Sequence, residues 1–343
     1  MECKQVWGVY WSATGNTRRV VERLAAGLAD GLGQSCRMVD LTPQNARAQP
    51  RRFRAGDLVV VGLPTYAGKL PNKILPDVQT KLQGGGALAV GVVTFGNRSF
   101  DNALAELCVT LETDGFHTVA AAAFVGRHAF TDRLAAGRPD GDDLRQADAF
   151  ARCVAERVRA LAAPPAPAAV PGDAAAAYYV PRGTDGQPAK FLKAKPQTDP
   201  GRCCGCGVCA RVCPMRAINP ADVTQVTGTC IKCQACVRPL RGRLPGALRE
   251  LFRQAEPKQG AAAPCFECFM GVAPKGGAGP GVPAGLRLGS AGRKQAFGGG
   301  CVVLRIALLG MPLGVLEGIA HGDHVSGCQQ LQRIGDGVEQ AGI

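Results

Sequence analysis

The chain has 343 residues, enough for two domains, and its 46% hydrophobic content suits a globular core. The opening MECKQVWGVYWSATG has an acid, a lysine and a hydroxyl-rich loop where a secretory leader needs a basic start and a long apolar run, and the most apolar late run, IALLGMPLGVL from Ile306, is about half a membrane span, so a cytoplasmic protein with no membrane partner is expected. The formal charge of +13 raises nucleic acid as a partner, but the densest basic spot of the front half, Arg51, Arg52 and Arg54, reads as a solvated face, and no nucleic-acid partner is expected.

Short apolar runs alternate with helical periodicity from Gln5 to about Ala163. Residues 5–11 (QVWGVYW), 36–41 (CRMVDL), 57–64 (DLVVVGLP), 87–95 (ALAVGVVTF) and 118–126 (TVAAAAFVG) read as five strands, nearly unbroken in hydrophobicity, as strands covered on both faces must be. Helices are predicted within 17–32, 99–115 and 143–163. This order predicts an α/β domain over 1–163, a doubly wound five-stranded parallel sheet with its ligand loops at the carboxyl ends of the strands.

Three of those loops have a distinctive chemistry. After the first strand, YWSATGNTRRV gathers Ser12, Thr14 and Thr17 around Gly15 and Asn16 at a helix start, where hydroxyls and backbone N–H groups can converge on one phosphate. The absence of a lysine inside the loop argues against a nucleoside triphosphate and for a monophosphate held by neutral donors. After the third strand, GLPTYAGKLP offers Thr65, Tyr66, Ala67 and Gly68, with Tyr66 as a flat surface for a ring. After the fourth, TFGNRSFDNAL brings Phe95, Gly96, Asn97 and Arg98 to the same edge, Arg98 being a candidate for stabilising an anionic ring. His128 and the isolated Cys3, Cys36, Cys108 and Cys153 read as structural, the cysteines as buried small apolar residues.

Residues 164–199, rich in proline, alanine and glycine, read as a semi-rigid linker to a cysteine module over 200–255. Cys203, Cys206, Cys209 and Cys213 with Pro214 give the spacing C-x2-C-x2-C-x3-C-P, Cys204 being left over, and Cys230, Cys233 and Cys236 repeat the two-residue gaps. Such gaps let three thiolates curl around one cubane, whereas zinc needs four ligands, usually in two separated pairs. The second motif then departs from the first, with Leu240 in place of a cysteine. From about 256 to 343 the chain is glycine-rich, has no period of two or 3.6 and is expected to lack regular structure. Cys265 and Cys268 lie in this tail. A shifted reading frame in a G+C-rich gene would produce both the motif loss and the change of composition.

The S/T-x-T-G-N-T signature from Ser12 to Thr17 resembles the FMN phosphate loop of flavodoxins, and this resemblance implies that the three loops hold FMN. The paired cysteine motifs resemble bacterial two-cluster ferredoxins, in which the last cysteine of each motif ligates the other motif's cluster. That implies a small α+β module with one complete 4Fe-4S ligand set, Cys230, Cys233, Cys236 and Cys213, and a second set, Cys203, Cys206 and Cys209, that lacks its fourth ligand at Leu240. Together the two parts resemble the flavodoxin–ferredoxin fusion proteins, called ferrodoxins, found mainly in anaerobic bacteria. The resemblance implies electron transfer between clusters and FMN, with a redox protein as partner. Two other readings stay open: an FMN-dependent reductase of NAD(P)H or a small molecule, fed by the clusters but with no G-x-G-x-x-G domain of its own, and an FMN-binding fragment with a non-functional cysteine module.

Overall fold

The apolar runs of the front half form one parallel sheet. Strands β1 (Gln5–Tyr10), β2 (Cys36–Asp40), β4 (Asp57–Pro64), β6 (Leu88–Phe95) and β7 (His117–Val125) lie in the order β2-β1-β4-β6-β7. The computed structural model describes residues 1–131, 133–180, 187–188, 194–201 and 203–238, and the backbone of 266–270 and 305–307. Counting only the five parallel strands, the order is 2-1-3-4-5, the doubly wound arrangement of flavodoxin-like proteins. The three central strands are buried almost throughout, whereas β2 is an edge strand exposed along most of its length. Its Cys36 is accordingly exposed, not buried as expected, while Cys108 is buried and Cys3 and Cys153 are half-buried.

Two helical layers cover the sheet. Helices α1 (Asn16–Leu32) and α5 (Gly141–Ala160) pack side by side on one face through Val20, Val21, Leu24, Leu28, Phe150, Val154 and Val158. Gly27 and Gly31 allow this approach, since a Cβ on either would sit about 3 Å from Ala151 or Ala155. Asp140 caps α5 in a capping box with Asp143. The other face carries α3 (Leu75–Lys81) and α4 (Ala103–Thr113), with the short α2 (Gln44–Arg47) between β2 and the strand pair β3 (Arg51–Arg52) and β5 (Leu82–Gln83). The basic run thus contributes a short strand, with Phe53 buried behind it and Arg52 and Arg54 outside.

The segment expected as a spacer departs from that role in its first half. Residues 168–180 lie against the sheet's loop end as a strap: Ala168 is buried, Val170 packs on the core, the Asp173 N–H donates to Asn102 Oδ1 at 2.9 Å, and the Tyr179 N–H donates to the Ala67 carbonyl at 2.8 Å. Lys69 fixes the strap from below. Its Nζ donates to the carbonyls of Ala174 and Ala176 at 2.7 and 2.8 Å and pairs with Glu106 at 3.0 Å.

The cysteine module, described over 194–201 and 203–238, holds a four-residue helix α6 (Val208–Arg211) and an antiparallel bridge between Ile218 and Val226. It is docked on the α3/α4 face, where Cys233 and Ala235 join the main apolar cluster and Met215 and Ile231 pack against it. Strand β8 (Phe266–Met270) pairs antiparallel with β7, and β9 (Arg305–Ala307) extends that edge. Apart from these two strands the tail expected to lack regular structure lies outside the described residues, as do Leu240 and Cys265, and only the backbone of Cys268 is described. Among the described residues no helix is long and apolar enough to cross a membrane.

Candidate cofactor sites

In a doubly wound sheet of this order, ligands bind outside the carboxyl ends of the strands, where the chain switches direction. Here that point lies between β1 and β4, so the loops at 11–16 and 65–70 flank it, and the loop after β6 stands next to them. All three sequence-predicted loops therefore meet at one edge.

At the first loop, Gly15 caps α1 with φ +90°, so no side chain takes the capping role and no acidic residue occupies the first turn. The first N–H groups of a helix have no partner within it and carry its positive end. Ser12 Oγ accepts the Arg18 N–H at 3.1 Å, closing the loop. Two predicted donors are already engaged. Thr17 is buried with its hydroxyl 2.7 Å from that of Thr94, and Asn16 Nδ2 donates to the Arg127 carbonyl at 2.9 Å. Both tie the loop to β6 and to the segment after β7, leaving Thr14 and the backbone N–H groups at the mouth.

At the second loop, Ala67 and Gly68 have φ values of 49° and 78°, and Tyr66 and Lys69 exchange backbone hydrogen bonds across this tight turn. The Thr65 N–H donates to the Thr94 carbonyl at 2.7 Å, but its buried Oγ1 finds no partner among the described residues, and neither does the buried Nε1 of the neighbouring Trp11. Trp11 meets the Tyr66 ring edge-on at 6.0 Å. Orphaned buried donors at a switch point are what a polar planar ligand would satisfy, and the loops fit a flavin mononucleotide on that ground. Such a cofactor would supply one- and two-electron chemistry, while residues 12–17 would hold its phosphate and the other two loops would shape the ring's surroundings.

At the third loop, Phe95 packs on Phe100, and Gly96 leaves room for His128, whose ring carbon would lie 2.5 Å from an added Cβ. Asn97 has φ 65°. Arg98 does not reach a free position. It pairs with Asp101 and stacks over Tyr179 of the strap at 4.5 Å. His128, read as structural, has its pKa lowered to about 4 by burial first and then by Arg238 and Arg98.

The cysteines divide by exposure. Cys203, Cys204 and Cys206 are exposed and Cys209 is half-buried, while Cys213, Cys230 and Cys236 are half-buried and Cys233 is buried. Cys213, Cys230, Cys233 and Cys236 line one pocket, whose other walls include Met215, Ala217, Ile218 and Ile231. Among the described residues no three Cys, His, Asp or Glu side chains converge on one metal-ion position, so these four thiols stand around a space instead of a point.

The backbone fits a cluster as well as the thiols do. Lys232 and Gln234, either side of Cys233, have φ of 59° and 66°, and Gly205 and Gly207, either side of Cys206, have φ of 69° and 66°. Both motifs thus have the same left-handed turns, and these aim N–H groups at sulfur: Lys232 at Cys230 (3.4 Å), Ala217 at Cys213 (3.3 Å) and Gly205 at Cys203 (3.5 Å). Lys and Gln adopt an unfavourable conformation that glycine takes freely in the first motif, so the turn is imposed by its setting. Burial, foremost, pushes the Cys233 thiol up to about 12 and Cys236 up to about 11, whereas Cys206 is lowered, chiefly by the Val208 N–H and then by the Cys204 side chain. Buried thiols need positive charge to be held as thiolates, and cluster iron would supply it.

Sequence reasoning missed four participants. Trp11 follows an apolar strand without a break, Lys69 and Glu106 pair across 37 positions with no local pattern, and Arg47 lies beside a basic run that hides it.

Known proteins resemble parts of both halves. No curated protein matches the chain. Among solved structures, a flavodoxin from the domain Archaea is 16% identical, covering 46% of this chain and 99% of its own, with a TM-score of 0.32. Flavodoxin 2 from Bacillus cereus is 14% identical over 45% of this chain and 99% of its own (TM-score 0.33), and the rubredoxin oxygen:oxidoreductase of Desulfovibrio gigas is 18% identical over 46% and 37% (TM-score 0.32). Residues 196–219 match the 4Fe-4S binding domain family. A stretch of the cysteine module thus matches a 4Fe-4S binding domain, in a chain whose front half is a doubly wound parallel sheet.

Proposed function

We propose that the protein moves single electrons between a 4Fe-4S cluster held by Cys213, Cys230, Cys233 and Cys236 and an FMN held at the loops of Ser12–Thr17, Thr65–Gly68 and Phe95–Arg98. One observation carries this reading: Tyr66, from the flavin loops, packs against the same apolar cluster that contains Cys233 and Ala235 of the cysteine pocket. Burial, then the Cys233 and Cys230 thiols, raises the Tyr66 pKa well above its ordinary value, which keeps the phenol neutral. Apolar residues from both proposed sites thus lie in one packed cluster.

A cluster held by Cys213, Cys230, Cys233 and Cys236 would supply one-electron chemistry, and an FMN held by the three loops would supply one- and two-electron chemistry beside it. The exposed face around Cys203, Cys204 and Cys206 carries Arg211 and Arg216, which suits an acidic redox protein as donor or acceptor. The strap holds Arg98 and Ala67 at the flavin loops, so the rival reading, hydride transfer from a nicotinamide, would require it to move aside.

The test uses the full chain, purified without oxygen and loaded with iron, sulfide and FMN. A one-electron reductant such as dithionite or reduced ferredoxin should bleach cluster and flavin in turn, while NADH and NADPH should bleach the flavin no faster than free FMN. Rapid bleaching by either nicotinamide would establish the reductase reading instead.

A further inference from the structure

Among the described residues, Arg47 is a buried cation at the junction between the two halves. Arg47, the last residue of α2, is 3% exposed, and every nitrogen of its guanidinium is engaged. Nε pairs with Asp77 at 2.8 Å, and Nη1 donates to the carbonyls of Leu41 and Thr42 at 3.1 and 2.6 Å. Nη2 crosses the junction, donating to the Pro214 carbonyl at 3.0 Å and lying 3.8 Å from Met215 Sδ.

Those contacts join the two sites. Pro214 follows Cys213, the one thiol of the pocket that comes from the first motif. On the other side, Thr42 Oγ1 accepts the Ser12 N–H at 2.9 Å, so the phosphate loop hangs on the residue whose carbonyl Arg47 holds. Asp77, the only acid paired with Arg47 among the described residues, has a side chain 39% exposed, so solvent screens it while the guanidinium is kept dry. A fixed, desolvated positive charge beside an anionic cluster favours the more negative, reduced form, because cluster potentials follow local charge and hydrogen bonding.

We infer that Arg47 is a positioning residue for the cluster: it fixes the Cys213 turn against the flavin-side domain and, by its charge, raises the cluster's reduction potential. This rests on the reading that Cys213, Cys230, Cys233 and Cys236 hold the cluster. A guanidinium suits both tasks because it never loses its charge and spreads donors over carbonyls in several directions.

The test compares Arg47→Met and Arg47→Lys with the wild-type full chain, each reconstituted with iron and sulfide, measuring iron per chain, cluster absorbance during a redox titration, and circular dichroism for folding. Arg47→Met should be harder to reduce, with the ratio of reduced to oxidised cluster at a set potential falling about tenfold, equivalent to about 59 mV for one electron. Arg47→Lys should retain most of the wild-type potential and bind iron less firmly, since the charge remains and the fork of donors does not. If Arg47→Met fails to fold, Arg47→Lys decides alone: a wild-type potential with unchanged iron retention overturns the positioning role. Equal potentials in all three proteins overturn the electrostatic role. A wild-type chain that takes up no iron sinks the ligand reading itself, and a wild-type cluster that titrates normally but never reduces FMN sinks the proposed function and leaves Arg47's role standing.

Discussion

His128 shows how a single side chain can be structural and still set a pH limit. Its ring fills the space above Gly96, and burial, then Arg238 and Arg98, lowers its pKa from 6.5 to about 4. Between pH 6.5 and 4 the unfolded chain binds a proton that the folded one refuses, so stability is full above about pH 6.5 and falls as the pH drops towards 4. Urea unfolding at pH 7 and pH 4.5 should show a loss of roughly 2 kcal/mol from this group, and His128→Gln should flatten the profile. Gly62 is constrained by space instead. A Cβ there would meet Val21 Cγ2 at 2.2 Å, where β4 presses on α1 behind the phosphate loop. Gly62→Ala should cost about 1–3 kcal/mol in denaturant unfolding and weaken FMN binding, because α1 must retreat and take its amino end with it.

At the scale of elements, the strap and the two glycine-shaped cysteine turns carry most of the functional geometry. The strap's hold depends on Lys69, whose partner Glu106 also accepts the Leu70 N–H at 2.7 Å inside the loop end. Tyr178 adds a hydrogen bond from its hydroxyl to the Leu70 carbonyl at 2.7 Å. Lys69→Met would leave Glu106 buried without its cation, at a cost of about 3–5 kcal/mol, and would free the carbonyls of Ala174 and Ala176. Limited proteolysis should then cut within 171–180 several-fold faster than in the wild type, with FMN released more readily. An unchanged cleavage rate would show that the backbone bonds of Asp173 and Tyr179 hold the strap without Lys69.

For the whole molecule, the incomplete second motif matters less than its sequence suggests. The motif's own three cysteines and Cys213 line one pocket and Cys233 packs in the cluster that Tyr66 joins, while Cys203, Cys204 and Cys206 are exposed. Reconstituted protein should therefore hold about four irons per FMN in a form that resists brief chelation. Cys233→Ser should remove most of that iron while leaving FMN bound, because Cys233 lines the pocket and has no part in the phosphate loop. Iron and acid-labile sulfide assays beside the flavin spectrum would check both. Retention of four irons in Cys233→Ser would mean that the stable cluster sits at the outer set.

The five parallel strands were legible because buried parallel strands need unbroken apolar runs, and the helix start after the first strand because glycine and hydroxyls there interrupt the apolar run. The thiol spacing was legible for the same reason: ligands two residues apart are a local constraint. Residues that act across long separations left no such trace. Arg47 meets Pro214 across 167 positions, and Lys69 meets Ala174 across 105. Neither pairing has a period or a spacing to betray it. Nor did Thr17, Asn16 and Arg98 show in sequence that their polar groups would be used up by Thr94, Arg127 and Asp101. By itself the sequence determined the strands' apolar runs, the loop chemistry and the thiol spacing, because each is written in a short local pattern. Only the tertiary structure decided that Cys213, Cys230, Cys233 and Cys236 line one pocket beside the cluster that Tyr66 joins and that a strap lies against the loop end, because both depend on which surfaces pack together once the sheet has formed.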